Sequence, residues 1–142
     1  MEIIIILHVF CRIKSALKKA KVLSYGINKL NDKNINLPGI HAETNAILKL
    51  KKQNNKKLEK IDILVIRLTG TNKLQNSKPC HHCIMNMKRL APQKGYKIIN
   101  IYYSDENKNI IKTNLTSLEI QEHHYSRYFN AKKNYNFNCN YI

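Results

Sequence analysis

This 142-residue sequence predicts an α/β domain, on three observations. Runs of β-branched and aliphatic residues alternate with runs at helical spacing, Gly and Pro number only 4 and 3, and no Pro/Gly-rich linker divides the chain. With 43% apolar residues the chain can bury a core, which excludes global disorder. Its length suits one globular domain and is too short for two. The expected domain covers residues 1–130, and residues 131–142 form an Asn-rich tail expected to fray.

Taken in order, the N-terminal run MEIIIILHVF is apolar but far short of a membrane span, and Glu2 sits where a secretory signal would carry positive charge. It reads as folded structure, with no membrane partner. Residues 13–18 (IKSALK) and 21–27 (KVLSYGI) can pair as a hairpin, although CRIKSALKKAKVL also fits a basic helix. Turn residues fill 31–40, ending in Pro38-Gly39-Ile40, and HAETNAILKLKKQ then brings Ala42, Ala46, Ile47 and Leu50 to one side at helical spacing, so a helix begins near His41. IDILVIRLTG has the continuous apolar pattern of a strand buried on both faces. Thr69 to Lys78 is polar and reads as a loop. A second helix starts at Cys80, behind Pro79, with Ile84, Met87, Leu90 and Ala91 as its apolar stripe.

YKIINIYYS is a further strand, and only DENK separates it from the strand-like NIIKTNL. A parallel return needs about a dozen residues or more, so these two form an antiparallel C-terminal hairpin. From Thr116 the chain is expected to be helical to about Phe129.

The formal charge of +16 and pI near 9.8 point to a polyanionic partner. Lys, however, greatly outnumbers Arg, which occurs only at Arg12, Arg67, Arg89 and Arg127, while Asn and Ile abound. A solvated Lys/Asn surface explains the charge equally well. Four cysteines are too few for a disulfide framework, and Cys80-x-x-Cys83 has a metal or redox spacing suited to a reducing, intracellular setting, cytoplasmic or nuclear.

His41-Ala42-Glu43 at one helix start and Pro79-Cys80-His81-His82-Cys83 at another, with a strand between, match the H-x-E and P-C-x-x-C pair of zinc nucleobase deaminases. Two thiolates and one neutral imidazole would fill three positions of a tetrahedral Zn2+, cancel its charge and leave the fourth for water. Helix N-termini favour the thiolates. Residues two apart do not share a face in mid-helix, so His41 and Glu43 reach one pocket only if His41 lies at the helix start. Glu43 can then take a proton from the attacking water and hand it to the ring nitrogen and the departing amine.

The competing structural reading is a closed zinc site in which His81 or His82 adds a ligand; helical geometry disfavours it and leaves both as surface or supporting residues. Cys11 reads as a buried thiol and Cys139 as a tail residue. His123, His124, Tyr125, Tyr128 and Phe129 form an aromatic-histidine cluster, read first as packing and second as a base-stacking lid.

At these motifs, and over about residues 12–115, the sequence resembles the cytidine and deoxycytidylate deaminase superfamily. The resemblance implies a three-layer fold, a five-stranded mixed sheet flanked by helices, with zinc between two helix starts. Ser24-Tyr25-Gly26-Ile27-Asn28 is similar to the segment whose Asn contacts the sugar, which implies Asn28 as a substrate residue. Ser15-Ala16 falls where the family lines the base pocket, and Ala42 resembles the residue whose backbone approaches the base. Ligation by His41 in place of a third cysteine resembles the nucleotide and nucleic-acid branches, whereas the C-terminal hairpin resembles the nucleoside-type branch. Gln75-Asn76-Ser77-Lys78 replaces the hydrophobic-plus-glutamate approach of many tRNA deaminases, and the first family helix is shortened.

The expected function is therefore hydrolytic deamination of a cytosine-containing nucleoside or nucleotide. Deamination of a base in RNA or single-stranded DNA, and a non-catalytic zinc-stabilised interaction module, remain open beside it. So do nucleic acid and a second copy of the chain as partners.

Overall fold

The computed structural model describes residues 2–7, 21–29, 38–122, 124–126 and 128–130. Its elements run β1 (Glu2–Leu7), β2 (Lys21–Gly26), α1 (Ala42–Lys49), β3 (Glu59–Leu68), β4 (Leu74–Gln75), α2 (His81–Gln93), β5 (Tyr96–Ser104), β6 (Ile110–Thr113) and α3 (Leu115–Ile120). The mixed sheet has the order β2-β1-β3-β5-β6, and β4 pairs with β3 off this path. β1, β2, β3 and β5 run parallel, while β4 and β6 are antiparallel to their partners.

Two expectations are corrected. The sheet is not five-stranded: Thr69–Asn72 turns tightly, with Asn72 at φ 59, and folds Leu74–Gln75 back onto Arg67–Leu68, so part of the expected loop becomes a sixth strand. β2 pairs in parallel with Glu2–Leu7, and the segment 13–18, expected either as its hairpin partner or as part of a basic helix, lies outside the described residues. The final helix is interrupted and not continuous to Phe129: α3 stops at Ile120, Gln121 is extended at ψ 160, the chain returns across the start of α2, where the His124 carbonyl accepts the His81 N–H at 3.1 Å, and residues 128–130 are helical again.

The expected C-terminal hairpin is present, pairing Ile101 with Thr113 through Ser104 with Ile110 around a turn with Lys108 at φ 65. The continuous apolar run of β3 is buried as predicted, and Ile61, Ile63 and Val65 join Ala46 and Ile47 of α1 and Ile84 and Met87 of α2 in one core. Burying those side chains removes apolar surface from water and supplies most of the driving force that holds the helices to the sheet. Asp62, the one acid inside this run, is buried but accepts both the backbone N–H and the side-chain amide of Asn100, at 3.1 and 2.9 Å.

Candidate metal and active site

The site is built on two helix starts that the sheet brings together. His41 is the N-cap of α1 and Cys80 the N-cap of α2; both are extended, at ψ 155 and 164. Neither side chain caps its own helix. An N-cap residue ordinarily turns back onto the first free N–H groups; here both side chains turn outward and meet. The His41 Nδ1 lies 3.5 Å from the Cys80 Sγ and 3.3 Å from the Cys83 Sγ. Among the described residues these three are the one cluster of metal-ligand type, with all ligand atoms within 4.8 Å of one another.

That arrangement fits zinc. Bonds of about 2.3 Å to sulfur and 2.0 to 2.1 Å to nitrogen at a tetrahedral angle place S and N about 3.6 Å apart. The sulfurs are free thiols, buried, at the positive end of α2, which favours their ionisation. Without a metal the pair holds a proton between them: the Cys83 thiol donates toward Cys80 and draws the Cys80 thiol far below the ordinary range, and Cys83 is pushed up in turn. The hydrogen bond with Cys80 raises the His41 pKa against the opposing effect of its burial. Two thiolates that would repel each other, beside an imidazole drawn to them, form a pocket whose charge calls for a cation.

Each ligand is positioned by an identifiable contact. α1 packs against β2 at Gly26, where a Cβ would run into the Ala42 carbonyl oxygen and the Ala46 amide. The absence of a side chain there lets the start of α1 reach the sheet. Asn28 Oδ1 accepts the Ala42 N–H at 2.8 Å, satisfying an amide at the start of the helix that has no partner within it. Cys80 is held from the other side: the Ser77 hydroxyl donates to the Val65 carbonyl at 2.8 Å, and Ser77 N–H donates to the Ser104 carbonyl at 2.8 Å. These bonds tie the chain just ahead of Cys80 to β3 and β5. Cys83 receives a hydrogen bond from Thr44, whose hydroxyl accepts from Asn86 Nδ2 at 3.2 Å, so a polar chain joins α2 to α1 behind the sulfur.

Glu43 lies in the first turn of α1, 7% exposed, outside the ligand cluster but within hydrogen-bond reach of Cys83. Burial pushes its carboxyl pKa up, as expected for a charge removed from water. A cavity of about 590 Å³ opens over these groups and is lined by Glu43, all three cluster residues, Asn28 and Ala42. That volume falls within the range of small-molecule sites.

The structure therefore brings His41, Ala42, Glu43, Cys80, Cys83 and Asn28 to one pocket. Asn28 and Ala42 are bonded to each other there. His81 and His82 are not in the ligand cluster; the His82 ring stacks on Phe129 with centroids 3.4 Å apart and planes 13° apart. Cys11, Cys139, His123 and Ser15-Ala16 lie outside the described residues. Reasoning from the sequence missed the pocket-lining roles of Arg67, Lys78 and His82, and it ranked His124, Tyr128 and Phe129 as packing when they also line the cavity. Lys78 precedes the Pro-Cys motif by one position, the one signal in the sequence that placed it near the metal. No helix among the described residues is long and apolar enough to cross a membrane.

Comparison with protein families finds one match, to the cytidine and deoxycytidylate deaminase zinc-binding region, over residues 14–97. No curated protein and no solved structure matches the chain. The family match takes in both helix starts and the strand between them, more than half of the sequence, and the chain accordingly belongs to the zinc-binding cytidine and deoxycytidylate deaminase family.

Proposed function

We propose that this chain is a zinc-dependent hydrolytic deaminase, folded as a single domain over residues 1–130, that converts the cytosine base of a nucleoside or nucleotide to uracil and releases ammonia. The observation that carries the reading is a buried, proton-avid carboxyl, Glu43, beside a three-ligand cluster, all lining one cavity. A structural zinc site is closed by four protein ligands; the three gathered among the described residues would leave a position for chemistry.

His41, Cys80 and Cys83 are the residues that would hold zinc, and bound zinc supplies a Lewis acid that makes a water acidic enough to react near neutral pH. Glu43 accepts the proton of the attacking water, passes it to the ring nitrogen next to the amine-bearing carbon, and then carries a proton to the departing amine. One carboxylate can do both because it is buried beside the cluster, where it can hold a proton in one step and release it in the next. Water adds, ammonia leaves, and the Glu43 carboxylate is restored. Asn28 positions the sugar, and Ala42 contributes backbone at the wall of the base pocket. The buried free thiols of Cys80 and Cys83 support an intracellular, reducing setting.

The test is to incubate the zinc-loaded protein with cytidine, deoxycytidine and their monophosphates and to measure uracil. Glu43→Gln should lower turnover by about a hundredfold or more while zinc stays bound in full. Loss of zinc together with activity would make Glu43 structural, and absence of uracil from every substrate would end the reading. Deamination within RNA or single-stranded DNA is the second reading, supported by Tyr128 and Phe129 in the cavity wall, where bases could stack. Faster turnover of oligonucleotides than of monomers would install it.

A further inference from the structure

We propose that Ser77 and Ser104 are positioning residues of the metal centre: as one buried, hydrogen-bonded pair they set where Cys80 stands, and so how tightly His41, Cys80 and Cys83 hold an ion. This rests on the zinc part of the reading above. Ser104 is the last residue of β5 and is wholly buried; Ser77, 8% exposed, stands three residues ahead of Cys80. Their contacts run in both directions. The Ser77 N–H donates to the Ser104 carbonyl and the Ser104 N–H to the Ser77 Oγ, each at 2.8 Å, and the two Oγ atoms are themselves 2.8 Å apart. The Ser77 hydroxyl also donates to the Val65 carbonyl of β3 at 2.8 Å, and the Ser104 hydroxyl to the Gln75 carbonyl of β4 at 2.5 Å.

The pair can govern the metal because the Cys80 side chain makes no cap bond to its own helix. Its sulfur stands where the preceding chain delivers it. That chain has little freedom: the Lys78 N–H donates to Asn76 Oδ1 at 2.9 Å, and Pro79 is buried, with a ring that fixes its φ. A shift of Ser77 is therefore handed on to Cys80. The opposing ligand, His41, is placed from the other side, through Gly26 and Asn28 at the start of α1. A metal centre works only when its ligands are held to within about 0.5 Å, so the two placements must agree.

The two hydroxyl protons face three acceptors, the Val65 and Gln75 carbonyls and the partner Oγ, while the Ser77 Oγ also takes the Ser104 N–H. Removing the Ser77 hydroxyl takes that acceptor from the N–H of a wholly buried residue. Buried polar groups left without a partner are costly, so the segment must shift to answer them. The fold also supplies a control. Asp62 and Asn100 join the same two strands, β3 and β5, through hydrogen bonds at 3.1 and 2.9 Å, but neither lies on the segment that leads into Cys80. Loss of that second pair should cost stability and leave the metal centre as it is.

The experiment measures the zinc Kd of the full chain against a competing chelator, and its absorption spectrum with Co2+ in place of zinc, whose bands report ligand geometry without any substrate. Ser104→Thr and Ser104→Val add the same bulk and differ in the hydroxyl. The Val variant should bind zinc about tenfold more weakly than the Thr variant and shift the cobalt bands, whereas Thr keeps the wild-type spectrum. Ser77→Ala should weaken zinc similarly, and combining it with Ser104→Val should add little, because the pair acts as a unit. Asn100→Ala should lower Tm with the zinc Kd and cobalt bands unchanged. Equal zinc affinity in the Val and Thr variants, or a loss in Asn100→Ala as large as in Ser104→Val, would overturn the proposal. Should Ser104→Val not fold, Ser77→Ala decides: an unchanged Kd and cobalt spectrum overturn it. The expected metal results without uracil from any substrate would end the deaminase reading and keep the serine pair. Uracil formed by variants with wild-type zinc affinity would do the reverse.

Discussion

At the scale of single residues, the site joins groups that are unfavourable apart. Glu43 is a carboxyl 7% exposed, and its pKa in the folded, metal-free chain is raised by burial above that of an ordinary glutamate. The folded state therefore binds its proton more tightly than the unfolded chain does. The stability this contributes is fully present below the unfolded value, about 4.3, and is lost as pH rises through the folded value. Glu43→Gln removes the titration while keeping the shape. In urea unfolding of the chelated protein, wild type should lose stability more steeply than Glu43→Gln as pH rises from about 4 to 7. Identical pH slopes would show that the carboxyl is hydrated in the folded chain. His41 is raised as well, chiefly by its hydrogen bond with Cys80 and in smaller part by the Glu43 charge, so its contribution has the same sign.

At the scale of elements, the metal ligands depend on where two helices begin, and those starts are set by contacts outside the motifs. β2 lets α1 approach only because Gly26 has no side chain, and the Ser24 hydroxyl donates to the Ala46 carbonyl along the same contact. Gly26→Ala forces the backbone of α1 outward, since the obstructing atoms are the Ala42 carbonyl and the Ala46 amide and cannot rotate away. Overpacking of this kind costs roughly 1 to 3 kcal/mol. It should also weaken zinc binding by moving His41 away from the two sulfurs, read as a higher Kd in a competition titration with a chromophoric chelator. Unchanged zinc affinity with lowered stability would mean that His41 follows the displaced helix without losing its geometry. Helix α2 was legible from its stripe of Ile84, Met87 and Ala91, which are buried, with Leu90 packed against the same core. The β4 strand was not legible, because two residues paired by a tight turn carry no periodicity.

At the scale of the whole molecule, the cluster joins α1 to α2, two helices separated in the chain by β3 and β4. A metal held at both ends of that separation stabilises the folded state alone. At zinc a hundredfold above its Kd the gain is about 2.7 kcal/mol. For a domain of this size, chelation should then lower Tm by roughly 5 to 10 °C, checked by thermal unfolding with and without a chelator; an unchanged Tm would show that the cluster holds no metal. By itself the sequence determined which residues meet at the motifs: His41, Glu43, Cys80 and Cys83 were readable because such side chains at short spacings near helix starts are brought to one place. It determined the buried strand β3 and the β5–β6 hairpin for a similar reason, since apolar runs and a four-residue turn are local signals. Only the tertiary structure decided that β2 runs parallel to β1, that Asn28 holds the Ala42 amide, that the tail turns back beside His82, and that Arg67 and Lys78 share a cavity with Glu43. Each of these is a contact between segments far apart in the chain, and its free energy depends on the packing of the whole sheet, which no local pattern encodes.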